Sequence, residues 1–182
     1  MQKIETPLPG CFLLEPRVHG DDRGFFIESW NRRTFRDLDI DFDYVQDNHS
    51  RSTQGVLRGL HYQVENPQGK LVRVTSGSVF DVAVDLRRGS PTFGRWFGVE
   101  LSEANKKILW VPPGFGHGFY VTSPTADFQY KCTEYFTPEN DRGIRWDDPS
   151  IGIDWPLVGG RPPGLSEKDA KAPLLEEAEV FE

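Results

Sequence analysis

Short runs of alternating or β-rich sequence, each closed by turn residues, recur along this chain and constrain its fold more than any other feature. They are Cys11–Val18, Gly24–Trp30, Tyr44–Ser50, Val56–Gln63, Leu71–Thr75, Val79–Leu86, Trp96–Leu101, Ile108–Val111, Gly118–Thr122, Asp127–Phe136 and Ile144–Trp146. This spacing suits a sandwich or barrel and not a succession of βαβ units. A content of 13 Phe, 5 Trp and 5 Tyr points the same way, since aromatic side chains favour pleated, half-buried surfaces. Helix is expected only over Asn31–Leu38, where Asn31 can cap the first turn, and in a short turn near Ser166–Lys171.

Leu71–Thr75, Ser76-Gly77-Ser78 and Val79–Leu86 read together as a hairpin with Gly77 in the turn. Phe80, Val82, Val84 and Leu86 then share a core face, and Asp81, Ala83 and Asp85 a wetter one. With 182 residues and no long Pro/Gly/Ser-rich interruption before position 156, one domain over 1–182 is expected. The acidic stretch 171–182, which contains Pro173, is expected to be frayed or weakly docked.

A formal charge of −7 without a basic stripe disfavours nucleic acid and anionic membranes as partners. No apolar stretch approaches the roughly 18 residues of a membrane span, and Met1–Gly10 does not have the basic-then-apolar pattern of a secretory leader, so a cytoplasmic protein is expected. Cys11 and Cys132 form no metal-binding or redox pair and are expected as small buried thiols.

Two patterns carry candidate chemistry. Gly59-Leu60-His61-Tyr62-Gln63 places a His beside a glycine that allows close approach of a ligand or backbone. Pro112-Pro113-Gly114-Phe115-Gly116-His117-Gly118-Phe119 is a corner followed by a His at the start of a strand. A single histidine of this kind is more often structural than catalytic, but Gln46, Asn48, Arg58, Lys70 and Tyr130 fall in or beside neighbouring runs. A barrel core does not tolerate so many polar groups unpaired, so they suggest a ligand pocket. Gln46, Asn48 and Ser50 alternate onto one face as a polar wall. Arg58 and His61 have opposite parity: either Gly59 marks a bend or bulge, or one of the two points away. Metal-binding cupins place a His-x-His pair where this chain has His61-Tyr62-Gln63. A metal held by His61 and His117 alone would be under-ligated, and no metal is expected.

Gly20-Asp21-Asp22-Arg23-Gly24-Phe25-Phe26-Ile27-Glu28, Gln46–Ser50, Gly55–Gln63, Lys70–Val74, Pro113–Phe119, Tyr130–Thr133, Trp146–Pro149 and Leu165–Asp169 resemble, in order, the signature runs of the dTDP-4-dehydrorhamnose 3,5-epimerase family. The resemblance implies an all-β jelly-roll (cupin) barrel with a few short peripheral helices. It implies a cofactor-independent isomerase that inverts C3 and C5 of a dTDP-linked 4-keto-6-deoxyhexose through enolates, on the route to dTDP-L-rhamnose and lipopolysaccharide O-antigen. By the same resemblance His61 is the general base, Asp169 holds its ring, Lys70 faces the ketone oxygen and Tyr130 is the proton donor. Arg23, Glu28, Gln46, Asn48, Arg58, Lys70, His117, Asp141 and Lys168 match positions that grip the sugar, diphosphate or thymine. A homodimer in which N-terminal strands are exchanged is implied as well.

The chain departs from the family pattern at His19, Phe136 and Asp141, where Phe, a second Tyr or Trp, and Glu are common. Three alternatives compete. Relatives on the same frame epimerise one carbon only or isomerise the keto sugar. A metal-dependent cupin lacks its His-x-His pair here, and a non-catalytic sugar-binding jelly roll has no need of His61, Lys70, Tyr130 and Asp169 together.

Overall fold

The computed structural model describes residues 1–182. In chain order the strands are β1 (Gln2–Glu5), β2 (Phe12–Glu15), β3 (Val18–Asp21), β4 (Gly24–Ile27), β5 (Gln46–Thr53), β6 (Leu57–Gln63), β7 (Lys70–Ser76), β8 (Ser78–Asp85), β9 (Trp96–Ser102), β10 (Ile108–Val111), β11 (Phe115–Val121), β12 (Thr125–Cys132) and β13 (Asp141–Gly143). Helix α1 (Arg32–Arg36) follows β4, and α2 (Glu167–Ala170) lies beyond β13. The order β1-β2-β10-β7-β12-β5 makes a six-stranded sheet, and β13-β6-β11-β8-β9 a five-stranded one. β3 and β4 pair only with each other.

Alternation along the strands decides which residues meet between the sheets. Leu13, Val72, Val74, Leu109, Val111, Ala126 and Phe128 point inward from the six-stranded sheet and meet Val79, Ala83, Leu101, Phe115, Phe119 and Val121 from the other. Each Val, Leu or Phe side chain among them contributes about 1.5–3 kcal/mol on burial. Both outer faces are covered too. The five-stranded sheet packs Leu57, Leu60, Tyr62, Val82, Val84, Leu86 and Tyr120 against Ile144, Ile151, Trp155, Leu175 and Ala178 of the C-terminal segment. On the six-stranded sheet, Leu14, Leu71, Ile108 and Trp110 are capped by Phe35 of α1 and by Ile40. Asn31 starts that helix as expected: its side-chain oxygen accepts from the backbone N–H of Arg33 at 2.9 Å and of Thr34 at 3.4 Å.

Several expectations are corrected. Residues 71–86 are not a hairpin: β7 pairs with β10 and β12, whereas β8 pairs with β11 and β9. Gly77 instead turns the chain from one sheet into the other. Its φ is +74°, and a Cβ there would lie 2.0 Å from the Thr125 carbonyl oxygen. The face of β8 read as wetter is the inter-sheet interior, where Asp81, Ala83 and Asp85 are all 0% exposed. Of the two states expected for the C-terminal stretch, frayed or weakly docked, the structure shows a docked one. Leu175 N–H donates to Asp148 at 2.6 Å, Phe181 N–H donates to the Leu86 carbonyl at 3.1 Å, and the Tyr62 hydroxyl donates to the Glu179 carbonyl at 2.6 Å. Leu175, Ala178 and Phe181 supply the apolar contacts that the acidic composition hid. The strand expected over Ile144–Trp146 ends at Gly143, the one over Asp127–Phe136 ends at Cys132, and β1 was not foreseen. β11 begins at Phe115, so His117 lies inside the strand and not at its start.

Candidate active site

Gly59 shapes the cleft. His117 pairs with His61 and Phe119 with Arg58, so β6 carries one residue more than β11 across this interval. The bulge resolves the parity of Arg58 and His61, because it returns both to the inner face while Leu57 and Leu60 join the outer core. Gly59 has φ +130°, and a Cβ would lie 2.5 Å from Gly118 Cα and 2.8 Å from the His117 carbonyl oxygen. No side chain fits there.

His61 Nε2 lies 2.5 Å from Asp169 Oδ1, joining β6 to α2 across 108 residues of sequence. Ser166 caps α2 by accepting from Asp169 N–H at 3.1 Å, which fixes the backbone that delivers the carboxylate. The Asp169 side chain is 4% exposed and that of His61 33%. Burial works against the Asp169 charge, but the hydrogen bond and charge of His61, the Ser166 hydroxyl and Lys168 outweigh it and hold the carboxyl below its ordinary value. An anionic Asp169 takes the hydrogen of Nε2, so Nδ1 keeps the lone pair.

Opposite this pair stands the six-stranded sheet. Tyr130 on β12 sits beside Asn48 of β5 and Val72 of β7 and packs on the inter-sheet core, its ring 6.0 Å from that of Phe128. Burial pushes the Tyr130 hydroxyl above its usual value, so it keeps its proton. Lys70 begins β7 beside Cys132 of β12, and burial lowers its ammonium pKa, opposed by the charges of Cys132, Asp141 and Asp81. Gln46 and Asn48 form the expected wall. Gln46 Nε2 donates to Asn48 Oδ1 at 3.0 Å, and Asn48 Nδ2 donates to Cys132 Sγ at 3.6 Å. Arg58 Nε donates to Ser52 Oγ at 3.0 Å, and an ion pair joins Lys168 to Asp141 at the edge of the five-stranded sheet. His117 Nε2 reaches both oxygens of Asp81 at 3.0 Å.

The fold therefore gathers His61, Asp169, Lys70, Tyr130, Gln46, Asn48, Arg58, His117, Asp141 and Lys168 around the space between the sheets. It does not bring Arg23 and Glu28 there within one chain. Arg23 lies at the tip of the β3–β4 hairpin, its side chain 89% exposed and paired with Asp21 at 2.5 Å. Glu28 accepts from Asn31 and Thr34 at the start of α1. His19 is exposed on that hairpin, and Phe136, 51% exposed, donates its N–H to Gln46 Oε1 at 3.0 Å. Sequence reasoning missed Asp81 and Ser52. The signal for Asp81 was an acid set between Phe80 and Val82 in a strand whose two faces are both covered. A groove of about 300 Å³ on the outer face of the six-stranded sheet is lined by Trp30, His49, Arg73, Gln129 and Lys131 and is bordered by Asn48 and Tyr130. No cluster of three His, Cys, Asp or Glu side chains has the geometry to hold a metal ion.

A histidine on one sheet, paired with a carboxylate carried on α2, thus faces a tyrosine and a lysine on the other sheet. Residues 5–177 match the family model described as dTDP-4-dehydrorhamnose 3,5-epimerase. The chain is 55% identical to dTDP-4-dehydrorhamnose 3,5-epimerase of Pseudomonas aeruginosa, over 100% of this chain and 99% of that protein. It is 54% identical to the enzyme of the same name from Salmonella typhimurium, over 98% of each. The crystal structure of the Legionella pneumophila dTDP-6-deoxy-D-glucose-3,5-epimerase in complex with dTDP-4-keto-L-rhamnose superposes with a TM-score of 0.94 at 53% identity, covering 98% of this chain and 94% of that one. The chain belongs to the dTDP-4-dehydrorhamnose 3,5-epimerase family of isomerases.

Proposed function

We propose that the cleft inverts C3 and C5 of dTDP-4-keto-6-deoxy-D-glucose by proton removal on one face of the sugar and proton return on the other. What supports this most directly is the placement of His61 and Tyr130 on facing sheets, so that a flat enolate between them has a base on one side and an acid on the other. His61 Nδ1 takes the proton from the carbon next to the C4 ketone. The C–H electron pair moves into the enolate, whose charge falls on the ketone oxygen. The Lys70 ammonium meets that developing charge, so its help is greatest in the transition state. Tyr130 then forms the new C–H bond with its hydroxyl proton. Solvent reprotonates the phenolate and removes the proton from His61. The two carbons react in turn, with no net oxidation.

Asp169 holds the His61 ring and stabilises the imidazolium. Arg58 and Lys168 are the cations placed to take the diphosphate, His117 offers a ring nitrogen to a sugar hydroxyl, and Gln46 and Asn48 form the polar wall beside the nucleoside. Asp141, one carbon shorter than Glu, is held by its ion pair with Lys168 beside the cleft. Phe136 offers a ring for stacking on thymine without a hydroxyl.

The partner is a second copy of this chain. Phe25 and Phe26 are 61% and 68% exposed on a two-stranded hairpin that packs on neither sheet, and such a hairpin is marginal alone. β5 has β12 as its only neighbour and so leaves an open edge. Docked on a second copy, the hairpin carries Arg23 and Glu28 to that copy's cleft. Phe25→Ser with Phe26→Ser would then shift the protein to monomer in sedimentation and remove activity together; a monomeric wild type would overturn this assembly. We place the enzyme in the cytoplasm, where nucleotide sugars are made; no helix of the chain is long and apolar enough to cross a membrane.

The test is incubation of purified protein with dTDP-4-keto-6-deoxy-D-glucose in deuterated water, read by NMR. Deuterium at both C3 and C5 is expected. Deuterium at one carbon would make the protein a single-position epimerase, and none would leave a binding protein.

A further inference from the structure

Asp81 is a buried acid that the mechanism above does not use. It lies on the inward face of β8 between Val79 and Ala83, both in the inter-sheet core, and is 0% exposed. No Lys or Arg pairs with it; its hydrogen-bond partner is His117 Nε2, 3.0 Å from each carboxylate oxygen. The register explains the contact. His117 stands directly opposite Ala83, and Asp81 occupies the diagonal position two residues along the same face. The methyl group of Ala83 leaves room for the imidazole to lie across it.

On its other side the ring meets Phe128, with centroids 6.0 Å apart and planes inclined by 29°, and Phe128 is stacked in turn on Phe119 at 4.1 Å. The imidazole is thus held by an aromatic face and a two-oxygen acceptor. A buried charge–imidazole pair is a poor source of stability compared with two apolar side chains of the same volume. Its distinctive effect is on orientation. With Nε2–H directed between the Asp81 oxygens, Nδ1, which makes no hydrogen bond within the chain, is the one ring nitrogen left for a ligand.

We propose that Asp81 is a positioning residue of this active site, acting through His117 to hold that ring with Nδ1 turned to the substrate. The inference rests on the reading of the cleft as an epimerase site with His117 in contact with substrate. Asp81 itself touches neither the reacting carbons nor the nucleotide. Without it the ring is free to rotate by half a turn or to move its hydrogen to Nδ1, and either change costs the ligand contact while leaving His61, Tyr130 and Lys70 in place.

The experiment compares Asp81→Leu, Asp81→Asn and His117→Ala with wild-type enzyme, whose own turnover settles the underlying reading independently. Asp81→Leu restores apolar packing, so a merely structural acid would be replaced without kinetic loss. The expected result is a KM for the dTDP-sugar raised about tenfold or more with kcat within about threefold, together with a lower melting temperature because the buried His117 Nε2–H loses its acceptor. The double variant Asp81→Leu/His117→Ala should be no worse than His117→Ala alone. Asp81→Asn keeps the shape and carries the test should Asp81→Leu fail to fold. Nitrogen-15 spectra of its His117 ring should show the hydrogen no longer confined to Nε2, as it is in wild type. A wild-type KM in Asp81→Leu, additive losses in the double variant, or a wild-type ring spectrum in Asp81→Asn would each overturn the proposal.

Discussion

The two histidine–carboxylate pairs of the cleft start from His61 and His117, register partners on the adjoining strands β6 and β11, yet they differ in burial and in where the carboxylate comes from. In His61–Asp169 the imidazole is 33% exposed, and its carboxylate arrives on a short helix 108 residues later in the chain. In His117–Asp81 the side chains are 8% and 0% exposed, and the carboxylate sits on the adjoining strand. A group that carries a proton to and from a sugar must reach the ligand and bear a charge for part of each turnover, which partial exposure permits. A group that only offers one nitrogen to a ligand is better fixed and buried. On the proposed mechanism, two pairs of the same chemistry separate into proton transfer and orientation by burial and by the origin of the carboxylate.

The sharpest way to break this division is His61→Ala, expected to lower kcat by about a thousandfold or more in steady-state assays, because it removes the base itself. Asp169→Asn is expected to lower kcat by about a hundredfold with little change in KM, the opposite of the KM-dominated loss at Asp81. Asp169 also links the site to pH. Its carboxyl is held below its unfolded value near 3.9, so the stabilisation from its contact with His61 is full above about pH 4 and is lost as pH falls through the folded value. Gly59→Ala should shrink both functions together. It forces a side chain into Gly118 and into a positive-φ backbone, with a stability loss of about 1–3 kcal/mol read from denaturant melts and lower kcat/KM.

The mildest perturbation is Asp85→Asn, on the same strand and the same inward face as Asp81. Asp85 is satisfied by Arg87, Ser90 and Thr92, none of them in the cleft. Burial opposes its charge, but these partners bring its carboxyl down to about 2. Its stabilisation is present above about pH 4 and disappears between there and about pH 2. The variant should lose about 1–2 kcal/mol at neutral pH, melt with a flatter acid dependence, and keep wild-type KM and kcat. A kinetic defect there would erase the distinction between the two acids of β8.

Much of this was legible in the chain. Alternation located most strands and put Gln46, Asn48 and Ser50 on one wall, and the parity clash of Arg58 with His61 left two possibilities, a bulge at Gly59 or one side chain turned away, because a period of two allows no others. Other features follow from contacts that no local pattern records. Ser76-Gly77-Ser78 carries the same turn chemistry whether the chain folds back on itself or crosses to a second sheet, and only the partners of β7 and β8 decide. Asp81 resembles a solvated strand acid until His117 is found beside it. Asp169 reads as a polar turn residue because its partner lies 108 positions away, and family resemblance alone singled it out. The C-terminal stretch looks disordered by composition, yet a few spaced apolar residues suffice to dock it.

The central claim, a base on one sheet and an acid on the other, is tested most directly with Tyr130→Phe in deuterated water, following deuterium uptake and inversion separately. Because His61 still removes protons and can return them only to the face from which they came, the account predicts continued exchange at C3 or C5 with inversion lowered by about a hundredfold or more. Equal loss of exchange and inversion in Tyr130→Phe, or exchange that survives in His61→Ala, would contradict it.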